Sequence, residues 1–548
     1  MRSTTTSSCA RSSETLGHRF RTQSDTEVIL EAYEEWGLDC FSHFNGMWAI
    51  ALWDEPRRRL VLSRDRIGEK PLHYAQTADA LVFGSEMKSL FAFGVPRERD
   101  LQWLEVFCSL GYLPAPHSFF RGVSKLPAGC LLIHEEGRDP EVRRYWDLPA
   151  IDEDAMILNG NAARETFASL LRDSVSLRMR SDVPYGAFLS GGLDSSCVVA
   201  LMAELRDRPV QTFTIGFAQA DYDERPLARM VADRFRTEHH EHEVHPAVFE
   251  DSLDQVMHHY DEPFGDSSAI PTGIVSRLAR QEVKMVLSGD GGDEVLSGYT
   301  NYQGERFARD YQRLPTVLRN ALPPLLRTAA RASGGRTRAK LTRARNVAEA
   351  SNQDFLHRLV QKTSWADVRT IKGLLRPVTT RISIEDFLEE RLRACPYHDT
   401  FYKLMYFHLK VSLPDDMLVK VDRMSMAHSL EVRTPFLDHR LIEYMVGVDK
   451  SLKLRGYERK AILRDTVGTK LPPALLRAPK RGFAVPIADW FRGDAFARYA
   501  KELARGDQVP IDPAVMREVL AENASGRENL GNFLWILMLT SRFCRGEE

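Results

Sequence analysis

The chain has 548 residues and a mass of 62.4 kDa, which exceeds a single hydrophobic core, so we expect two or three domains. Its apolar fraction of 43% and charged fraction of 27% are typical of globular proteins and exclude wholesale disorder, collagen and a coiled coil. Lysine and arginine (74) nearly balance aspartate and glutamate (76), and no apolar run reaches the roughly eighteen residues of a membrane span. We therefore expect neither a nucleic-acid nor a membrane partner.

The cysteines indicate a reducing compartment. There are seven, all widely separated, and no C-x-x-C or other zinc or iron–sulfur spacing occurs. An odd, scattered set in a long chain is typical of reduced thiols, so we predict a cytoplasmic protein.

The first part of the chain is predicted to be β-rich with short helices. The apolar spacing of TEVILEAYEEW (26–36) predicts a helix, and FNGMWAIALW (44–53) predicts a buried strand. CLLIH (130–134), a turn at Gly137 and a second extended run over 142–146 predict a closing hairpin. We place a first domain at 1–147 and a linker at 148–161.

From residue 162 onward, predicted strands alternate with predicted helices, a pattern typical of parallel βαβ units. The strands are YGAFLS, QTFTIGF, HHEHEV and KMVLSGD, and helical patterns dominate after residue 300. The strand assignment also favours structural histidines over a metal site for the run 239–245, because alternate side chains point to opposite faces. The basic segment from Arg327 to Arg345 contains no acidic residue and is interpreted as a solvated helix face or loop.

A glycine turn links the first of these strands to the next helix. Its sequence is Ser190, Gly191, Gly192, Leu193, Asp194, Ser195 and Ser196. Glycines allow a sharp turn close to a ligand, and successive amides at a helix N-terminus bind anions. A carboxylate at Asp194 suits such a site if Mg²⁺ bridges it to phosphate oxygens. The string predicts a phosphate loop distinct from the Walker and dinucleotide-binding loops.

SGGLDSS resembles the pyrophosphate loop of the N-type ATP pyrophosphatases, and further segments resemble the asparagine synthetase family within that group. They are TFTIGF (212–217), DEPFGDSSAIPT (261–272), VLSGDGGDEVLSGY (286–299), VDRMSMAHSLEVRTPFLDHRLIEY (421–444) and RAPKRGFAVPIADWF (477–491). The resemblance implies an α/β fold in which a parallel-sheet ATP-pyrophosphatase domain (adenine nucleotide α hydrolase-like), with a helical C-terminal part, occupies 162–548. A partial, β-rich α+β N-terminal-nucleophile glutaminase domain would precede it.

The resemblance also implies a reaction. Aspartate and ATP would give β-aspartyl-AMP and pyrophosphate, and ammonia, supplied from glutamine in an intact chain, would then release asparagine and AMP. The implied cofactors are ATP and Mg²⁺, and the implied partners are the small-molecule substrates and, since dimers are usual in the family, a second copy of the chain.

The family's functional positions map onto residues of this chain. ATP would contact Leu189, Ser190, Gly191, Gly192, Asp194, Ser195, Ser196, Ile215, Ser288 and Gly289. Asp194 and Asp293 would hold Mg²⁺. Asp290, which is Glu in some members, would assist formation of the adenylate, and Lys480 would face the α-phosphate. Lys460 and Arg464 are weighed as either facing the phosphates or solvating a helix. Arg423, Glu431, Arg433 and Asp438 are interpreted as either a buried ion-pair network or a substrate site.

The front segments SDTEVI, FNGMWAIALWD, RDRIGEKPLHY and FGSEMKSL resemble the rear part of a class II glutaminase domain. That domain begins Met-Cys, whereas this chain begins Met1-Arg2, and the family's Arg-His-Arg-Gly-Pro and Asn-Gly-Glu strings are absent. Asp25 matches the family aspartate that binds the glutamine α-amino group. We expect the chain as written not to hydrolyse glutamine, and we favour a start site assigned too late over an ammonia-using remnant.

Two other functions stay open. One is an amide-forming enzyme of the same chemistry that acts on a different carboxylate in natural-product or polysaccharide biosynthesis. The other is an inactive nucleotide-binding scaffold, which the intact SGGLDSS and SGDGGDE strings disfavour.

Overall fold

Two antiparallel sheets form the front of the molecule. In the computed structural model, the described residues are 20–22, 24–153, 156–217, 219, 222–244, 246–478, 485–493, 496–505, 510–526 and 528–546. The front strands are β1 (Ala49–Asp54), β2 (Arg59–Arg64), β3 (His73–Gln76), β4 (Leu81–Gly84), β5 (Val123–Lys125), β6 (Cys130–Glu135) and β7 (Glu141–Arg144). One sheet has the order β1-β2-β6-β7 and the other β4-β3-β5, which confirms the predicted closing hairpin of β6 and β7.

Both faces of the larger sheet are covered, which explains why β6 reads as a continuous apolar run. Leu131 and Ile133 pack with helix α1 (Asp25–Trp36), while Leu132 and Cys130 pack in a second cluster with Leu72. This alternation follows from the two-residue period of a strand. Helix α1 matches the predicted helix over 26–36.

The predicted strand over 44–53 is wrong in its first half, since β1 begins at Ala49. Gly46 has φ of +148° and interrupts the extended run. Phe44 and Trp48 are nevertheless buried, because they pack edge to face with each other beneath α1. An apolar loop therefore produced the strand-like pattern.

A five-stranded parallel sheet organises the rest of the chain. Its strands are β8 (Tyr185–Phe188), β9 (Gln211–Phe217), β10 (Glu238–Val244), β11 (Met285–Leu287) and β12 (Glu431–Arg433). They lie in the order β10-β9-β8-β11-β12, and every neighbouring pair is parallel. The four predicted strands are confirmed, whereas β12 was not predicted.

Helices surround this sheet and continue to the end of the described chain. Ahead of the sheet lie α2 (Met87–Phe93), α3 (Leu104–Leu110) and α4 (Gly160–Arg178). Between its strands lie α5 (Leu193–Glu204), α6 (Arg225–Phe235), α7 (Pro246–Tyr260), α8 (Ala269–Glu282), α9 (Gly292–Val295), α10 (Thr300–Gln312), α11 (Thr316–Ala332), α12 (Gly335–Ser351), α13 (Phe355–Thr363), α14 (Val368–Leu374), α15 (Ile384–Arg393), α16 (Thr400–Phe407), a π-helical segment (His408–Met417) and α17 (Leu418–Met426). After the sheet come α18 (His439–Gly447), α19 (Lys450–Lys453), α20 (Ala461–Asp465), α21 (Pro473–Arg477), α22 (Ile487–Arg492), α23 (Ala497–Arg505), α24 (Pro513–Ala524) and α25 (Gly531–Arg545).

Charged side chains cross the boundary between the front sheets and the parallel-sheet half. Lys70 Nζ lies 2.6 Å from Asp422 Oδ1, and both side chains are buried. Arg423 lies 3.2 Å from Glu86, and Asn45 Nδ2 donates to Asp438 Oδ2 at 3.0 Å. Arg423 and Asp438, for which the sequence left two readings, thus belong to a paired network that joins the two halves.

Among the described helices, none is both long and apolar enough to cross a membrane. Five of the cysteines that the structure describes carry free thiols: Cys108, Cys130, Cys197, Cys395 and Cys544.

Candidate active site

The predicted phosphate loop lies where the connections of the parallel sheet change direction. Strands β8 and β11 are neighbours, although β8 continues to β9 on one side and β11 lies next to β12 on the other. In open parallel sheets, ligands bind at such a switch point, outside the carboxyl ends of the strands. The 189–196 loop follows β8, and Ser288 and Gly289 follow β11, so the two predicted ATP-binding segments lie side by side.

Glycines allow the two loops to pack closely. Gly191 has φ of +72°, and a Cβ there would lie 2.7 Å from the Cβ of Leu227. A Cβ on Gly289 would lie 2.6 Å from the backbone nitrogen of Ser195. A larger residue at either position would displace backbone, so both glycines are required by contact.

Serine hydroxyls hold the loop in shape. The hydroxyls of Ser190 and Ser195 lie 3.0 Å apart, and the Gly192 amide donates to Ser190 Oγ at 3.3 Å. Gly192 is the N-cap of α5, so the first amides of this twelve-residue helix point into the loop. The buried Ser196 hydroxyl has no hydrogen-bond partner among the described residues. The arrangement forms a cradle for an anion.

The carboxylates of Asp194 and Asp293 converge on one ammonium group. Lys460 Nζ contacts Asp194 Oδ2 and lies 2.6 Å from Asp293 Oδ1. Burial opposes the charge of Lys460, which is 5% exposed, but the two carboxylates outweigh burial and raise its pKa. Lys460 adopts a left-handed backbone, φ +55°, immediately before α20, which directs its side chain into the site.

Two carboxylates that reach the same cation also fit a divalent metal ion. Mg²⁺ is usually bound through one or two carboxylates together with substrate phosphates and waters. Asp194 and Asp293 supply that number, on the side of the cradle where phosphates would lie. The described residues contain no cluster of three or more metal-ligating side chains, so a metal here would depend on substrate oxygens.

A second buried charge cluster lies beyond Ser288. Burial raises the pKa of Asp290, while the nearby Lys420 opposes that shift. Lys420 is itself buried and lies 2.8 Å from Asp266 Oδ2. Burial, and to a smaller extent the negative charge of Asp293, raises the pKa of Glu294 to about 7. The Tyr299 hydroxyl donates a hydrogen bond to Glu294 at 2.6 Å. The predicted catalytic residue Asp290 therefore lies among several carboxylates that share one cation.

The other predicted residues fall in three places. Leu189 and Ile215 are buried near the carboxyl ends of β8 and β9, and the Thr214 hydroxyl donates to the Leu189 carbonyl. Asp25 is buried at the start of α1 in the front sheets. Lys480 lies outside the described residues.

The sequence left two interpretations open for Lys460, a contact with the phosphates or a solvated position at a helix. Arg464, weighed alongside it, is structural, because its guanidinium donates to the backbone oxygens of Arg459 and Leu476 at 3.1 and 2.8 Å. Glu431 and Arg433 pair with each other at 2.6 Å. The Arg433 guanidinium also donates to the backbone oxygens of Arg178 and Arg180, at 3.0 and 2.7 Å.

A small cavity of about 20 Å³, room for roughly one water molecule, lies between the front sheets and the parallel-sheet half. Its lining includes His73 and Met87 from the front and Phe264 and Val419 from the rear. Burial lowers the pKa of His73 well below its usual range, so its imidazole is neutral near pH 7.

Comparison with known proteins agrees with this architecture. Residues 166–543 match the asparagine synthase family model, and residues 8–146 match a glutamine amidotransferase domain. A protein of Mycobacterium tuberculosis, provisionally named asparagine synthetase (glutamine-hydrolyzing), is 31% identical over 95% of this chain and 80% of its own length. Asparagine synthetase (glutamine-hydrolyzing) 1 of Bacillus subtilis is 27% identical over 96% of this chain and 81% of its own. A Gibberella zeae protein named an amidase is 26% identical over 86% and 74%. The cradle at the switch point and these matches lead to one conclusion: the chain belongs to the asparagine synthetase family.

Proposed function

We propose that the chain forms an amide from aspartate, ATP and ammonia, giving asparagine, AMP and pyrophosphate through β-aspartyl-AMP. Residues 162–548 would carry this reaction, 1–147 would be the glutaminase-type domain and 148–161 the linker. The observation that carries the proposal is the meeting of Asp194, Asp293 and Lys460 beside the 190–196 loop at the switch point.

ATP would lie across the ends of β8 and β11. The first amides of α5 and the hydroxyls of Ser190, Ser195 and Ser196 would bind the β- and γ-phosphates. Leu189, Ile215, Ser288 and Gly289 would contact the adenosine. Mg²⁺ held by Asp194 and Asp293 would neutralise phosphate charge.

In the first step a β-carboxylate oxygen of aspartate attacks the α-phosphorus, and the bond between that phosphorus and the α–β bridging oxygen breaks. Negative charge then grows on the departing pyrophosphate. Lys460 would move from the carboxylates to that charge, and Lys480 would face the α-phosphate. Either cation would lower the barrier only when it lies beside the reacting group, which for Lys460 requires that its ammonium leave Asp194 and Asp293.

In the second step ammonia attacks the acyl carbon, AMP leaves and one proton must be removed. Asp290, whose pKa burial raises, directly follows Ser288 and Gly289 and is our candidate for assisting the adenylate and receiving that proton. Ammonia would pass between the two halves by way of the small cavity lined by His73, whose neutral imidazole does not convert ammonia to ammonium. Asp25 would bind the α-amino group of glutamine in a chain with an active glutaminase.

Pyrophosphate release with aspartate and ammonium chloride tests the proposal. Asp194→Asn should lower the rate by about a hundredfold or more, because one of two metal-binding carboxylates is lost. Asp207→Asn, an exposed aspartate beyond the end of α5, is the matched control and should leave the rate unchanged. Release that needs no Asp194, or no carboxylate substrate, would contradict the proposal.

A second substrate class has some support. The relative named an amidase shares most of the chain, and the buried carboxylates around Lys420 form a cluster whose acceptor the fold alone does not identify. The same assay with a panel of amino-acid and sugar carboxylates distinguishes the two, since release that depends on another acid would replace aspartate. We also propose a cytoplasmic location, supported by the free thiols.

A further inference from the structure

Helix α11 exposes an apolar face that the proposed function does not use. Val317, Leu318 and Leu325 are 79%, 56% and 64% exposed, and Leu322 is 37% exposed. The spacing of 318, 322 and 325 places these leucines in one stripe along the helix. Single exposed leucines are ordinary, but three of them in one stripe form a patch, and the exposed Val317 lies about 100° around the helix from Leu318.

The stripe does not belong to the protein's own core. Pro323 and Ala330 are the buried residues of α11, and they lie on the side of the helix away from Leu318 and Leu325. That buried side packs against the neighbouring helix α12. The stripe therefore faces outward from the hairpin formed by α11 and α12.

The same hairpin is strongly basic. Residues 311–348 contain nine arginines and lysines and no aspartate or glutamate, although the whole chain has a net charge of −2. Arg331, Arg338, Lys340 and Arg343 are exposed, and no carboxylate among the described residues pairs with them. The hairpin of α11 and α12 thus carries both an apolar stripe and several exposed cations.

We propose that this hairpin docks on an anionic lipid surface, with α11 lying in the plane of the interface. An amphipathic helix with leucines on one face and arginines beside it binds at the boundary between headgroups and acyl chains, and the cations attract anionic headgroups. At about 1.5 Å per residue the helix would lie along roughly 25 Å of that surface. Binding in the plane of the interface requires no membrane-spanning segment. The expectation of no membrane partner rested on the lack of such a segment and therefore does not apply to interfacial binding.

Two other occupants fit less well. A symmetric contact between two copies would place the same acid-free segment against itself, which charge repulsion opposes. A nucleic acid would use the arginines but not the leucines, and residues 312–348 contain no aromatic side chain on which bases could stack.

Vesicle flotation of the full chain tests the proposal. The protein should bind phosphatidylcholine vesicles that contain phosphatidylglycerol, bind pure phosphatidylcholine vesicles at least about tenfold more weakly, and lose binding as salt rises. The triple variant Val317→Asn, Leu318→Asn and Leu325→Asn, and separately Arg331→Gln, Arg338→Gln and Arg343→Gln, should each weaken binding by at least about tenfold.

Leu30→Asn with Leu158→Asn, two exposed leucines outside the hairpin, is the control and should bind like the parent chain. Circular dichroism confirms that each variant is folded. Absent binding to anionic vesicles, or binding that both hairpin variants retain, would overturn the proposal. If vesicle binding is absent and sedimentation analysis finds a dimer that the asparagine variant converts to monomer, the stripe is instead a contact between two copies of the chain.

Discussion

Lys460 is the residue on which the electrostatics of the candidate site depend. It contacts two partly buried carboxylates that would otherwise repel each other. We expect Lys460→Met to lower pyrophosphate release by about a hundredfold to a thousandfold, because a cation beside the developing charge is lost. Mg²⁺ should also raise the melting temperature of the variant more than that of the parent, because without Lys460 the two carboxylates have no lysine cation to compete with the metal ion.

The control for this prediction is Lys470→Met, which removes a partly exposed lysine that pairs with Glu204 at the surface. It should change neither the rate nor the magnesium dependence. An unchanged rate in Lys460→Met, measured in the same assay, would exclude a role for this lysine.

A second lysine, Lys453, is fully buried and contacts the Met405 sulfur at 3.7 Å. Burial lowers its pKa to about 7. Between pH 7 and the ordinary lysine range the unfolded chain keeps a proton that the folded chain has released, so this group makes folding stability rise with pH there. Below pH 7 the folded chain must hold a buried charge.

We therefore expect Lys453→Met to raise the melting temperature at pH 6 to 7 and the gain to shrink toward pH 10. Thermal unfolding followed by circular dichroism across this range measures the effect. A gain of equal size at every pH would mean that packing, and not the charge, is responsible.

At the scale of single residues, the sequence identified chemistry better than geometry. Asp194 and Asp293 were predicted to share one cation, and the structure brings both to Lys460. Lys460 itself could not be assigned, because its orientation depends on a left-handed turn and on contact with a loop far away in sequence. The roles of these residues remain predictions.

At the scale of elements, the two loops at the switch point form one unit because Gly289 touches the 190–196 loop. Gly289→Ala would place a methyl group 2.6 Å from the Ser195 nitrogen and should shift the amides at the start of α5. We expect ATP affinity, measured by equilibrium dialysis, to fall about tenfold or more. Gly447→Ala, where no atom lies within 4 Å of the new methyl, is the matched control. Equal affinities in the two variants would contradict the close packing of the loops.

The elements that sequence predicted well are those with long, regular patterns. Strand β9 is a seven-residue segment rich in β-branched and aromatic residues and was predicted at its true bounds, and β10 was predicted within one residue. Strand β12 has only three residues, two of them charged, and its place is set by pairing with β11, which local sequence does not encode. The apolar loop 44–48 was predicted as a strand for a different reason. Its apolar residues indicate burial, and a buried loop can show the same pattern as a buried strand.

At the scale of the whole molecule, buried ion pairs join the two halves. Lys70→Met should destabilise the protein by about 3 to 5 kcal/mol, because Asp422 would remain buried without its partner. Lys70→Met combined with Asp422→Leu should recover most of that loss, since neither charge is then buried alone. Denaturant unfolding of both variants measures this, and a double variant as unstable as the single one would show that the pair matters through packing.

The position of β12 in the chain has a consequence for synthesis. Its three residues close the edge of the sheet next to β11, and the Arg433 carbonyl accepts from the Ser288 amide at 2.9 Å. A ribosome translates α9 through α17 between these two strands, so the hydrogen bond at Ser288, beside the candidate site, forms only after a distant segment has been synthesised. Folding with such non-local pairing is slow, and the nascent chain exposes the edge of β11 meanwhile. Chaperone dependence during translation is therefore expected to concentrate in this interval.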